Sequence, residues 1–123
     1  MSEHATQVAI FQWARLAAKW KYPALRWMYA IPNGGHRHIA VAAKLKAEGV
    51  RAGVLDINLP VPIGICSGLW IEVKYGKNKL TSCQEEWAAG MAELGHGVAV
   101  CYTVDQAIAA IEGYLNQGGH IVK

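Results

Sequence analysis

The chain has 123 residues, 53% hydrophobic and 17% charged, and twelve Lys/Arg against nine Asp/Glu leave a formal net charge of +3. That length suits one compact domain over residues 1–123, and so much apolar content argues against intrinsic disorder. No membrane span, secretory signal or disulfide framework is visible, since the longest apolar runs are short, MSEHATQ lacks a basic-then-apolar pattern, and three scattered cysteines form no CxxC pair. The expectation is a soluble, cytoplasmic protein.

In chain order, residues 3–20 predict a helix, with Ile10, Trp13, Ala14, Ala17 and Trp20 at helical spacing and Ser2 as its cap. Arg26–Ile31 is a short apolar run that predicts a strand ended by Pro32. Pro32-Asn33-Gly34-Gly35 is turn chemistry, and His36–Glu48 predicts a second helix closed by Gly49. Val54–Leu59 and Leu69–Tyr75 predict strands joined by a hairpin centred near Gly64. Residues 82–94 predict a helix opened by a Ser82–Glu85 capping box. Val98–Thr103, wholly apolar, predicts a central strand, and Val104–Leu115 a final helix. This order describes an α/β fold with a mixed central sheet flanked by helices.

The charge is segregated. Residues 15–79 hold eleven basic and three acidic side chains, a local +8, whereas residues 80–123 come to −4. A polyanion partner and a merely solvated Lys-rich face both fit such a field. The three acids inside the basic stretch are more informative. Alternation along the two middle strands puts Val54, Asp56 and Asn58 on one face and Trp70, Glu72 and Lys74 on another. The hairpin register then sets Asp56 opposite Glu72 and Val54 opposite Lys74. Carboxylates that close repel unless a cation intervenes, and two hard oxygen ligands completed by water and phosphate suit Mg²⁺ or Mn²⁺. Such a site activates water toward a phosphodiester, with a neighbouring lysine to orient it or offset developing charge. Glu3 and Gln7 on the first helix, and Gln84 with Trp87, Ala88 and Met91 on the third, fall on inward stripes, where polar groups need partners.

These residues resemble a known group. Asp56 followed after a hairpin by Glu72-Val73-Lys74 looks like the PD-(D/E)xK nuclease superfamily, with its restriction-endonuclease-like core. Glu3 and Gln7, Pro32-Asn33-Gly34-Gly35 with Arg37, Leu45–Val50 and Gly53, and Leu80–Gln84 with Trp87 resemble its VRR-NUC branch, over roughly residues 3 to 104. The resemblance implies Asp56, Glu72 and the Val73 carbonyl as metal ligands, Lys74 as catalytic lysine, Gln84 as an accessory residue, and Glu3 as an acid supplied by the first helix. Leu55 stands where the superfamily name carries proline. The resemblance further implies a stand-alone, phage-type member, a homodimer that cuts branched DNA such as four-way junctions.

Asn33, Gly34, His36 and Arg37 at a helix start, Arg51 before the first site strand, and Lys77 and Lys79 after the second are the candidate nucleic-acid contacts. Zinc held by His36, His38 and the cysteines is disfavoured because close ligand pairs are missing, and Cys83 and Cys101 are expected in the core. Trp13 and Trp20 read as core, and exposure of a tryptophan there would point to a dimer contact. The expected activity is Mg²⁺-dependent DNA hydrolysis. The alternatives are a nuclease-fold module that binds DNA without cutting it, and RNA as substrate.

Overall fold

The computed structural model describes residues 1–32 and 38–121. Helix α1 (Glu3–Trp20) starts where the Ser2 side chain accepts a hydrogen bond from the Ala5 N–H at 3.0 Å, which satisfies one of the open donors of a first turn. Its stripe of Thr6, Ile10, Ala14 and Ala17 is buried. Trp13 packs against the core, whereas Trp20 is 73% exposed at the helix end. A 3₁₀ turn (Pro23–Trp27) then precedes strand β1 (Tyr29–Ala30). The strand expected over residues 26–31 is thus much shorter. Pro23 at the start of the turn has the φ that a helical turn requires, and the turn takes up Arg26 and Trp27 before the chain extends.

Helix α2 (Ile39–Ala47) begins beyond a His38 cap, and Gly49 follows it at φ +99°. The expected 32–35 turn and the start of the expected helix fall largely on residues 33–37, outside the described residues. Strands β2 (Ile57–Leu59) and β3 (Leu69–Val73) pair antiparallel, Ile57 with Ile71, Asn58 with Trp70 and Leu59 with Leu69, which is the expected register. At the hairpin tip, Ile63 and Cys66 exchange two backbone hydrogen bonds. Gly64 there has φ +57°, the positive value a primed turn needs at its first central position. Both strands are shorter than expected: β2 starts only after Asp56, and β3 ends at Val73, where its pairing with the fourth strand ends at Cys101.

Helix α3 (Ser82–Glu93) crosses over to strand β4 (Gly97–Cys101), which lies parallel to β3, and helix α4 (Val104–Ile121) closes the fold. The sheet order is β1-β2-β3-β4, so β4 is an edge strand rather than the central one expected. Its apolar sequence has another cause: α3 and α4 cover it from both sides. The capping box also moves by one residue. Thr81 is the N-cap, its hydroxyl accepting from the Gln84 N–H and the Gln84 side chain accepting from the Thr81 N–H. Thr81-x-x-Gln84 and Ser82-x-x-Glu85 both fit the pattern, and the packing of Gln84 onto the sheet selects the first.

Pleating divides the sheet. Ile57, Leu59, Leu69, Ile71 and Val73 face α1 and α4 and pack with Ile10, Ala14, Ala17, Ala107, Ile111 and Tyr114; each fully buried large aliphatic contributes about 1.5–3 kcal/mol. The opposite face carries Asn58, Trp70, Glu72 and Lys74, all buried, beneath α3, whose Trp87 meets Trp70 edge-on at 5.5 Å. The result is a mixed sheet with helices on both faces. Among the described residues, no helix is long and apolar enough to cross a membrane.

Candidate active site

The carboxylates of Asp56 and Glu72 are brought together by the β2–β3 hairpin. The Val73 N–H donates to Asp56 Oδ2 at 2.9 Å, and the Asp56 N–H donates to Glu72 Oε1 at 3.2 Å. Each side chain is therefore bonded to the other strand's backbone, one step beyond the last ladder pair. The Ile31 N–H donates to the Asp56 carbonyl at 2.8 Å, tying the chain beyond β1 to the same place. Leu55, where the superfamily name has proline, is fully buried and anchors this approach to the strand.

Gln84 completes the arrangement from α3. Its Nε2 donates to Glu72 Oε2 at 2.9 Å, and its Oε1 accepts from Lys74 Nζ at 2.9 Å. An ammonium can only donate, so the amide oxygen must face Lys74 and the amide nitrogen the carboxylate. The same Oε1 accepts the Thr81 N–H at 2.9 Å. One glutamine thus caps the helix and clamps the site. Lys74 Nζ lies 3.4 Å from Glu72 Oε2 in a pair whose side chains are only 10% and 3% exposed. Burial pushes the Glu72 carboxyl up to about 7, the Asp56 charge adds to the rise, and Lys74 opposes it.

A cleft of about 520 Å³ reaches Asp56 from α1 and is lined by Glu3, His4, Gln7, Val8, Phe11, Arg15, Ile31 and Pro32 as well. It brings Glu3 and Gln7 to the site's side of the molecule. Among the described residues, however, no third acidic, histidine or cysteine side chain joins Asp56 and Glu72 as a possible ligand, and Glu3 stands exposed at the rim. His4 and Arg15, which sequence reasoning passed over, lie on a stripe with Val8 and Phe11 at helical spacing, one residue round from the stripe of Glu3 and Gln7. A second cleft, of about 820 Å³, reaches Gln84 and Thr81 from the α2 side, with Leu45, Lys46, Val50, Arg51, Gly53, Val54 and Cys83 in its lining. Pro32 lines both clefts.

Arg51 is exposed, pairs with Glu86 at 3.1 Å and lies 5.4 Å from the centre of the Trp87 ring. Lys77 and Lys79 are exposed after β3. Asn33, Gly34, His36 and Arg37 lie outside the described residues. Cys101 is buried as expected, but Cys83 is exposed, a correction that follows from its place in the first turn of α3. There its backbone meets Gly53: a Cβ on Gly53, at φ +87°, would stand 2.5 Å from the Cys83 carbonyl oxygen. This close approach holds the chain before Asp56 against the start of α3.

No protein-family profile matches the chain, and no curated protein sequence matches it. Among solved structures, one described as "VRR_NUC domain protein" superposes with a TM-score of 0.80 at 26% identity, over 94% of this chain and 89% of that chain. With its restriction-endonuclease-like mixed sheet and this coverage, the chain is similar in fold to a VRR-NUC domain, a nuclease-type domain, in line with the resemblance of its motifs.

Proposed function

We propose that this protein is a metal-dependent endonuclease that hydrolyses DNA phosphodiester bonds, acts as a homodimer, and selects branched DNA such as four-way junctions. The observation that carries the reading is the closed network of Asp56, Glu72, Lys74 and Gln84 on one buried patch of the sheet. Asp56, Glu72 and the Val73 carbonyl would hold Mg²⁺ or Mn²⁺. The donors fit: all are hard oxygens, and two carboxylates in contact, one of them held up at about 7, are in want of a cation. Two protein carboxylates with water and substrate phosphate are an ordinary Mg²⁺ set. A bound divalent ion supplies Lewis acidity and a nucleophilic water at neutral pH.

The chain's own groups do the rest. Gln84 fixes the Lys74 ammonium beside Glu72, where it would orient water or offset charge on the phosphate. The shielding of Glu72 and Lys74 by α3 strengthens each of these interactions. Glu3 acts from the far wall of the Asp56 cleft on the water structure there. Arg51, Lys77 and Lys79, with the 33–37 segment, hold the DNA backbone. The exposed Trp20 supports a contact between copies, and two symmetric cuts across a junction require the two sites of a twofold dimer.

The test is cleavage of four-way junction, flap, duplex and single-stranded DNA, with Mg²⁺, with Mn²⁺ and with EDTA, by wild type and by folded Asp56→Ala and Lys74→Ala variants. Metal-dependent products from wild type alone, greatest on the junction, are expected. Full activity in a folded Asp56→Ala variant overturns the assignment. Binding without products in every metal leaves instead a DNA-binding module of nuclease fold, and sedimentation decides the dimer.

A further inference from the structure

Trp27 and Tyr29 are 61% and 46% exposed, while Met28 between them is buried. Trp27 ends the 3₁₀ turn and Met28, with φ −68° and ψ 137°, makes the step into β1, so the two exposed rings flank one buried residue at the entry to the sheet. Tyr29 pairs with Asn58, and Asn58 with Trp70. Opposed residues of a ladder share a face, so Tyr29 belongs to the face that carries Glu72 and Lys74. Two residues past Tyr29, Ile31 donates its N–H to the Asp56 carbonyl. At a rise of about 3.3 Å per residue, Tyr29 lies about 7 Å along the strand from that contact, and Trp27 lies farther out at the end of the 3₁₀ turn. The Arg26 guanidinium sits over the Trp27 ring, 4.8 Å from its centre, so the outermost aromatic carries a cation. The Asp56 cleft, with Arg15 in its wall, is lined by the same stretch of chain at Ile31 and Pro32.

Two kinds of occupant suit exposed aromatics on an outer strand: another protein surface and unpaired bases. Charge separates them. From His4 to Ala47 the sequence holds seven Lys/Arg and no Asp or Glu. A twofold contact that stacks Trp27 on its own copy would bring the two Arg26 guanidinium groups together, like charge against like. A nucleic-acid strand brings the opposite charge, and its bases have flat faces that stack on exposed rings whatever their sequence. We infer that Arg26, Trp27 and Tyr29 form a rail that holds an unpaired nucleic-acid strand and leads it to the Asp56–Glu72 site. The direction of travel rests on the nuclease reading; the strand-binding surface does not.

The experiment uses metal-free protein in EDTA, so that nothing is cut, and labelled oligothymidylate and blunt duplex DNA followed by fluorescence anisotropy. Trp27→Ala and Tyr29→Ala are each expected to raise the single-strand Kd about tenfold or more, the usual loss for one base–aromatic stack, with the duplex Kd moving less than about twofold. Trp27→Phe should recover most of the affinity, and sedimentation should be that of wild type. Single-strand affinity unmoved in variants that melt like wild type overturns the rail. So does an equal loss on duplex, and so does a loss that accompanies a change in sedimentation, which makes the edge an interface between copies. A wild type that binds the strand through Trp27 yet never cleaves with metal overturns the nuclease reading and leaves the rail standing. Cleavage with strand affinity indifferent to Trp27 and Tyr29 does the reverse.

Discussion

Replacing Glu72 by Gln removes the ionisable half of the carboxylate pair while keeping its shape. Glu72 is held up at about 7 against an ordinary 4.5, first by burial and then by the neighbouring Asp56 charge. A carboxyl raised in the folded state stabilises the fold relative to its ionised form at low pH, and that contribution is lost as pH rises from about 4.5 through about 7. At about 1.4 kcal/mol per pKa unit the loss amounts to about 3 kcal/mol. Glutamine cannot ionise and does not incur it. It does give up an acceptor, since both Glu72 oxygens receive hydrogen bonds, but that deficit of about 1 kcal/mol is the same at every pH. The difference in stability between E72Q and wild type should therefore swing by about 3 kcal/mol in favour of E72Q between pH 4.5 and pH 8. For a domain of this size that is a swing of roughly 10 °C in Tm. The assay is thermal melting by circular dichroism in EDTA across that range, and the comparison cancels the shared groups that do not touch Glu72. Saturating Mg²⁺ at pH 8 should raise the wild-type Tm, by about 2.7 kcal/mol of stability at a hundredfold excess over Kd, and leave E72Q where it was. A difference in Tm that stays constant from pH 4.5 to 8 refutes the claim that Glu72 is a strained, desolvated acid waiting for a cation.

Lys74→Ala should lower metal-dependent cleavage by about 10²–10³-fold, as expected for loss of a preorganised charge in a buried site; single-turnover kinetics at saturating DNA measures it, and a drop of less than threefold would place Lys74 outside the chemistry. Thr81→Ala removes a cap and should reduce stability by about 1 kcal/mol. Because the Thr81 hydroxyl holds the backbone N–H of Gln84 in the first turn of α3, its loss should loosen the turn that carries Gln84 and slow cleavage at pH 7 as well, and Thr81→Ser should restore both in melting and rate assays. Gly53→Ala meets the Cys83 carbonyl in a left-handed backbone and should destabilise by more than about 2 kcal/mol. Gly49→Ala, left-handed too but with open space around it, should cost only about 1 kcal/mol; urea midpoints compare the two.

Local pattern made much of this fold legible. Period-two alternation and a glycine at residue 64 are enough to pair Ile57 with Ile71, because a one-residue slip would turn the whole apolar set outward. The errors share a different origin. Val98–Thr103 reads as a central strand because the run is apolar, yet apolarity records coverage of both faces by helices, which an edge strand also receives here. Arg26 and Trp27 read as strand, but Pro23 three residues earlier commits them to a turn. Two overlapping capping patterns cannot be separated by sequence, because what selects Thr81 is the contact of Gln84 with Glu72 and Lys74.

The same division runs through the site. The sequence alone determines that Asp56 and Asn58 share one strand face, that Glu72 and Lys74 share another, and that a hairpin brings those faces into one plane, since side-chain direction along a strand depends on parity alone. It does not determine that Glu72 and Lys74 are sealed beneath α3, that one amide both caps that helix and bridges the two charges, or that Trp27 and Tyr29 stay in water. Those depend on which helix lies over which strands and how far its cover extends. The tertiary structure decides them because burial, and with it the rise of the Glu72 carboxyl to about 7, belongs to the packed assembly and not to any segment of the chain.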